Sequence, residues 1–288
     1  MKILITGGTG YIGSKLAYFL VNNNHEVFLL SRKNSDLCLI RELLEKVKLF
    51  EIENDYSVIN KVINEVKPDI TIHLASLFIN NHNTEQLVDI VGSNILFGTL
   101  LLESLVNNDC PLIINTGTSW QHYNNEDYNP VNLYAASKQA FEDILKYYIE
   151  AKGVRAITLK LFDTFGEDDN RPKIFNLLKK HSQEKTEILM SNGEQEIDLV
   201  HINDVVSAFN FAINELIDSK EIKYKTYGVA TGKPRKLREW VEDYIVTNNL
   251  QVNIKWGYRE YGKREVMSTW KKFSKINSLI FSNIFNKI

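Results

Sequence analysis

Tyr134 and Lys138 stand four residues apart in Tyr134-Ala135-Ala136-Ser137-Lys138. On a helix that spacing sets both side chains on one face, so a phenol and an ammonium can act together. A free phenol titrates at about 10, too high for proton exchange at neutral pH. A neighbouring ammonium, with the positive charge of an oxidised nicotinamide, favours the phenolate and predicts a lowered pKa. The spacing recurs at Tyr11/Lys15 and Tyr148/Lys152, but Tyr134 alone follows a strand ending in hydroxyls, Asn115-Thr116-Gly117-Thr118-Ser119. A hydroxyl there can bind a carbonyl oxygen beside Tyr134, with Thr118 the first candidate and Ser119 the second. The expected chemistry is carbonyl reduction: Tyr134 gives the proton, Thr118 holds the oxygen, and Lys138 tunes Tyr134 and holds the nicotinamide ribose.

A second cluster opens the chain. In Thr6-Gly7-Gly8-Thr9-Gly10-Tyr11-Ile12-Gly13, three glycines repeat as G-x-x-G-x-x-G between an apolar strand and a helical pattern. Gly7 permits a tight turn, Gly10 lets backbone approach a pyrophosphate, and Gly13 lets the helix pack on the strand. The free N–H groups of the helix start then face the phosphates. The second strand ends in Ser31-Arg32-Lys33, where NAD-selecting sites usually carry an acid. Two cations and a hydroxyl suit a 2′-phosphate, so NADP is favoured and NAD is the alternative. Asp55, after the third strand, is a candidate adenine contact, and Ala75, after the fourth, allows close approach of the cofactor.

These groups need a scaffold that brings strand ends together. Strands are predicted at 2–6, 26–31, 48–53, 69–75, 111–116 and 155–162. Helices are predicted at 11–23, 36–47, 56–66, 84–107 and 133–151. That alternation implies βαβ units and a doubly wound parallel α/β sheet of Rossmann type. Beyond Gly166 the rhythm breaks, with helices at 174–181 and 203–216 and short strands at 186–189 and 227–230. Residues 1–165 are read as a dinucleotide-binding domain, to which 200–225 returns, and 166–288 as mainly a smaller substrate lobe. The formal charge of −2 offers no basic surplus for nucleic acid. Cys38 and Cys110 lack metal spacing and suit a reducing compartment. The first strand begins at Lys2, leaving no room for a leader, and no apolar run approaches the roughly 20 residues of a membrane span. A cytoplasmic protein is expected, with no metal, nucleic acid or membrane partner.

This order of motifs resembles the extended short-chain dehydrogenase/reductases, the NAD-dependent epimerase/dehydratase group. The resemblance rests on Gly7 to Gly13, His73-Leu74-Ala75-Ser76, Thr118, Tyr134 to Lys138, and Leu161-Phe162-Asp163-Thr164-Phe165-Gly166. It continues through Gly193 to Asp198, His201 to Val205 and Tyr227 to Gly232. It implies a cofactor site of Gly7, Thr9, Gly10, Tyr11, Ile12, Gly13, Ser31, Arg32, Asp55, Leu74, Ala75, Ser76, Tyr134 and Lys138. It also implies substrate contacts at Ser119, Trp120, Asp163 and Arg264. The short length, Gly117-Thr118-Ser119 and Arg264-Glu265-Val266-Met267 look most like nucleotide-sugar 4-ketoreductases of the CDP-paratose and CDP-abequose synthase type, which serve bacterial surface polysaccharide.

The chain also departs from the family. Asp163 replaces the usual Asn, Ile197 replaces an Arg that often holds the nucleotide diphosphate, and Gly262 stands where an Arg is expected, with Arg259, Lys263 and Arg264 nearby. Dehydratases usually carry Asp-Glu after the strand-end Thr, whereas Ser119 and Trp120 follow Thr118 here, so dehydration is disfavoured. Plain 4-keto reduction with NADPH fits best. An NAD-dependent 4-epimerase is the alternative, and a non-catalytic NAD(P) sensor, which would typically lose the Tyr/Lys pair, is the second. The helices at 84–107 and 133–151 are expected to pair with a second copy in a homodimer. His73, on a buried-looking strand, reads as a core residue.

Overall fold

The computed structural model describes residues 1–52 and 55–276. Six strands come first: β1 (Lys2–Thr6), β2 (Glu26–Arg32), β3 (Lys48–Ile52), β4 (Ile70–His73), β5 (Leu112–Thr118) and β6 (Arg155–Leu161). Short strands follow: β7 (Asp163–Phe165), β8 (Glu187–Met190), β9 (Glu196–Ile197) and β10 (Leu199–His201). After them come β11 (Tyr224–Val229), β12 (Arg235–Lys236) and β13 (Asn253–Trp256). The helices are α1 (Tyr11–Asn22), α2 (Tyr56–Val66), α3 (Leu87–Val91), α4 (Phe97–Asn107), α5 (Leu133–Lys152), α6 (Ile174–Glu184), α7 (Ile202–Asp218) and α8 (Leu237–Thr247).

Seven parallel strands form the main sheet in the order β11-β6-β5-β4-β1-β2-β3. The chain winds outward from β1 to β3, then recrosses to β4, so the strand order reverses between β1 and β4. Ligands bind beyond the carboxyl ends of strands at such a switch point. Alternate residues of β1 serve opposite faces. Ile3 and Ile5 belong to the apolar cluster that holds α1 and α7, and Leu4 to the one that holds α2, α4 and α5. The residues after β7 build a smaller lobe in which α6 packs on α8, Phe175 stacks on Tyr244 at 4.0 Å, and β8 pairs with β13. From this region α7 crosses to pack on α1 and β6, and β11 joins the sheet edge at β6. Residues 257–276 form a strap without regular helix or strand that ties the two lobes together. Its fastenings include Glu196 N to Met267 O (3.1 Å), Lys271 N to Asn125 Oδ1 (2.9 Å) and Gly228 N to Ser274 O (3.1 Å).

Several elements differ from expectation. The helix at 36–47 is reduced to one 3-10 stretch, Cys38–Leu43. Ile40 and Leu43 alone are buried there, too short an apolar stripe to sustain a longer helix. The third strand was expected to end at Glu53; Glu53, like the expected lobe residues 277–288, lies outside the described residues. The strand at 69–75 stops at His73, because Leu74 and Ala75 turn aside to bond Thr6. The strand at 111–116 runs on to Thr118. The helix at 84–107 is one continuous rod, but a π turn at Gly92–Leu96 divides α3 from α4. Its 24 residues, Thr84–Asn107, are long and apolar enough to cross a membrane, contrary to the expectation from the sequence. Its inner side, with Ile90, Phe97, Leu101, Leu102 and Leu105, is buried. That side packs against α2 and α5, as in a helix covering a sheet.

Candidate active site

The glycine turn joins β1 to α1. Gly7 has φ +73°, and a Cβ there would meet the Ala75 nitrogen at 2.7 Å. A Cβ on Gly13 would stand 2.2 Å from the Gly7 carbonyl oxygen. Gly10 caps α1 without a side chain, and Thr9 and Ile12 flank it half-buried, so the first-turn N–H groups point out of the helix end. Thr6 locks this turn to β4: its Oγ1 pairs with His73 Nδ1 at 2.8 Å and accepts from Ala75 N at 3.2 Å. His73 is fully buried and held neutral, its pKa lowered to about 3 by burial and then by Lys138. The side chain of Tyr11 turns away from the turn. Its hydroxyl donates to Glu167 O at 3.1 Å, and the Arg171 guanidinium sits 4.6 Å above its ring. What Tyr11 offers a phosphate is therefore backbone alone.

At the rim, Ser31 is buried, with its Oγ unbonded among the described residues, and Arg32 projects exposed from the end of β2. Asp55 caps α2 by accepting from Ser57 N (2.7 Å) and Ser57 Oγ (2.8 Å), and these bonds hold its pKa below the usual carboxylate value. Leu74, Ala75 and Ser76 lead away from β4 beside the turn.

Asn132 caps α5 through Ala135 N (3.0 Å), and the helix carries Tyr134 and Lys138 in its first turns. Tyr134 is half-buried and edge-on to Phe78 at 5.0 Å; Phe78 also packs on Trp120 at 5.7 Å. Burial raises the Tyr134 pKa to about 12, against a hydrogen bond from Ser76. The Tyr134/Lys138 spacing predicts a lowered phenol; within the chain itself, burial outweighs it. Lys138 is 1% exposed and has no ion pair among the described residues. Burial lowers its pKa to about 8, against the pull of Glu142. Thr118 Oγ1 accepts from Trp120 N at 3.3 Å, so its own hydrogen is left to donate to a carbonyl oxygen.

This donor set fits a dinucleotide. The bare helix start would receive the phosphates, Ser31 and Arg32 the ribose at one end, and the buried Lys138 ammonium the ribose hydroxyls at the other.

Two clefts adjoin and share part of their lining. The first, about 640 Å³, is lined by Ser119, Trp120, His122, Phe162, Arg264 and Trp270 among others. The second, about 770 Å³, is lined by Phe165, Lys173, Ile174, Phe175 and Met190 among others. Asp163, Gln195, Ile197, Arg259 and Glu265 line both. Asp163 pairs with Lys173 at 3.0 Å. Arg264 bonds Asn129 and lies 4.3 Å over the Tyr123 ring, so it grips the large lobe at the rim. Sequence reasoning missed Asn94, Gln121, Glu142, Gln195 and Trp270. Asn94, on the π turn, bonds Leu77 N (2.7 Å), Leu77 O (3.1 Å) and Ser137 Oγ (2.9 Å). An amide in the apolar middle of a helix was the available signal.

The model of the NAD dependent epimerase/dehydratase family matches residues 3–227. A CDP-abequose synthase of Yersinia pseudotuberculosis is 26% identical over 279 residues, covering 96% of this chain and 94% of that protein. A UDP-N-acetylglucosamine 4-epimerase from Methanobrevibacter ruminantium superposes with a TM-score of 0.84 at 20% identity, over 97% of this chain and 92% of that one. A Thermus thermophilus UDP-glucose 4-epimerase in complex with NAD gives 0.78 at 20% identity, over 94% and 90%. With its glycine turn at the switch point and its Tyr134/Lys138 pair on α5, the chain belongs to the NAD dependent epimerase/dehydratase family, as an NAD(P)-dependent enzyme of the short-chain dehydrogenase/reductase type.

Proposed function

We propose that the enzyme uses NADPH to reduce a 4-keto group on a deoxysugar carried by a nucleoside diphosphate, for bacterial surface polysaccharide. The observation that carries this reading is the strand end at Thr118. It offers a free hydroxyl hydrogen and is followed by Ser119 and Trp120 rather than by an acid–base pair. The full-length likeness to a CDP-abequose synthase supports it. The first cleft takes the sugar and the second the nucleotide, with Arg259, free of ion pairs among the described residues, facing the diphosphate where they meet. Thr118 donates to the keto oxygen, Tyr134 passes it a proton, and Lys138 steadies Tyr134. The dinucleotide, when bound, supplies the hydride to the sugar carbon. Exposed Arg32 beside unbonded Ser31 favours a 2′-phosphate and an exchangeable cofactor, against an epimerase that retains its NAD.

The exposed apolar side chains Leu87, Val88, Val91, Leu96 and Tyr147 lie along α3, the π turn and α5 and suit pairing with a second copy. The unpaired Cys38 and Cys110 suit the cytoplasm. A thermal-shift panel of NADP, NAD and CDP-, dTDP-, GDP- and UDP-sugars tests the ligands, since bound ligand raises apparent stability. Tyr134→Phe is expected to abolish NADPH oxidation with a 4-keto nucleotide sugar and to leave NADPH affinity intact. Full turnover by that variant would sink the reading.

A further inference from the structure

Behind Thr118 lies a row of buried polar side chains to which the reaction above gives no role. Gln121, fully buried, accepts the Thr118 N–H at Oε1 (2.9 Å). Its Nε2 donates to Glu142 Oε1 (2.9 Å) and Gln139 Oε1 (2.8 Å). Glu142 Oε2 faces Lys160 Nζ at 3.3 Å, and Lys160 Nζ pairs with His122 Nε2 at 2.8 Å. Glu142 also stands four residues after Lys138 on α5, on the same face of the helix.

We propose that Glu142 is a positioning residue shared by two members of the catalytic set: through Gln121 it fixes the backbone of Thr118, and through its charge it steadies the Lys138 ammonium. The inference rests on reading Thr118 and Lys138 as catalytic. A buried ion pair such as Glu142–Lys160 is weak as a source of stability, since apolar residues of similar size often serve as well. Its geometry suits a different task. Each carboxylate oxygen is bonded outward, one to the amide that holds the strand end and one to β6, so the middle of α5 and the end of β5 keep a single register. The groups facing Glu142 are Lys160 from β6, Tyr224 from β11, His122 beyond Lys160, and Lys138 on its own helix. Those facing Lys138 are Glu142 and, from β4, His73, which is held neutral; Tyr134 stands one helical turn before it on α5. Glu142 is thus the anion opposing the burial that pulls the Lys138 proton off.

The test is an NMR titration of ε-¹³C-lysine protein, with the Lys138 signal identified by its loss in Lys138→Arg. In Glu142→Gln the Lys138 midpoint is expected to fall by about one pH unit, and the alkaline limb of kcat with it. Glu142→Gln strands Lys160, so the double variant Glu142→Gln/Lys160→Met, which removes both charges, is expected to fold and to show the same fall. Gln121→Leu is expected to leave the midpoint in place and to lower kcat roughly tenfold with little change in sugar KM. An unmoved midpoint in the folded double variant overturns the proposal, as does wild-type kcat in Gln121→Leu. A wild type that reduces no keto sugar overturns the functional reading instead. The Lys138 titration, read without substrate, would still support the charge half of the inference.

Discussion

The dinucleotide seat and the substrate clefts are built in opposite ways. The seat is assembled from neighbours in sequence: residues 6–13 turn directly off the end of β1, and Thr6 bolts them to β4 through bonds of 2.8 and 3.2 Å. The first cleft draws its walls from distant stretches, among them those around Trp120, Phe162, Gln195 and Arg264, and an irregular strap closes it. A seat made of sheet backbone changes little without unfolding the sheet. A cleft walled by loop side chains can be reshaped residue by residue. Relatives named for different sugars therefore share one scaffold.

The sharpest way to break the comparison is to strike each region once. Gly13→Val puts branched carbon where a Cβ alone would already stand 2.2 Å from the Gly7 oxygen. It is expected to abolish NADPH binding and to cost upwards of about 3 kcal/mol, read by fluorescence titration and urea unfolding. Normal NADPH affinity in that variant would show that the turn is not the seat. Trp270→Ala strikes the strap. Trp270 is buried and stacks on His122 at 3.8 Å, so its loss is expected to cost roughly 3 kcal/mol. Here the sugar KM is expected to rise about tenfold or more while NADPH affinity holds. If both constants move together, the two regions are not independent.

The same contrast explains what the sequence disclosed. Gly7, Gly10 and Gly13 announce themselves because one turn needs them at fixed spacing, and Tyr134 and Lys138 because one helix face does. The order of β1 to β6 followed from apolar runs separated by helical patterns. The neck of Asp163, Gln195, Ile197, Arg259 and Glu265 was hidden, since its members are brought together across more than ninety residues by the packing of two lobes. For the chain by itself the Tyr134 shift runs upward for a related reason: spacing reveals neighbours along a helix but not the depth at which they sit. The π turn that aims Asn94 at Leu77 left no mark beyond an amide in the apolar middle of a helix.

Two buried histidines sharpen the comparison by pH. His73 lies under the seat and His122 beside the first cleft, with pKa values lowered to about 3 and about 4, mainly by burial. Folded, both stay neutral; unfolded, both take a proton below about 6.5. Their stabilising effect is therefore full above that pH and lost as pH falls, until about 4 for His122 and about 3 for His73. At pH 5.5 each is expected to withdraw about 1.4 kcal/mol. In His122→Gln, the stability lost between pH 7.5 and 5.5 should shrink by that amount, as measured by urea midpoints. An unchanged loss would mean that His122 carries a proton in the folded cleft wall.

The smallest effect is expected at Arg264. Sequence placed it on the substrate, yet its guanidinium is already engaged by Asn129 and the Tyr123 ring at the exposed rim. Such a contact is worth about 0.5–1 kcal/mol. Arg264→Ala should therefore loosen the strap slightly and raise the sugar KM by no more than about fivefold, in steady-state assays at fixed NADPH. The logic is positional. A cation held against the large lobe cannot also face the neck, where Arg259 lies, unless substrate draws it off Tyr123. A rise of a hundredfold would reveal that movement, and the strap's clamp would then be part of the substrate grip.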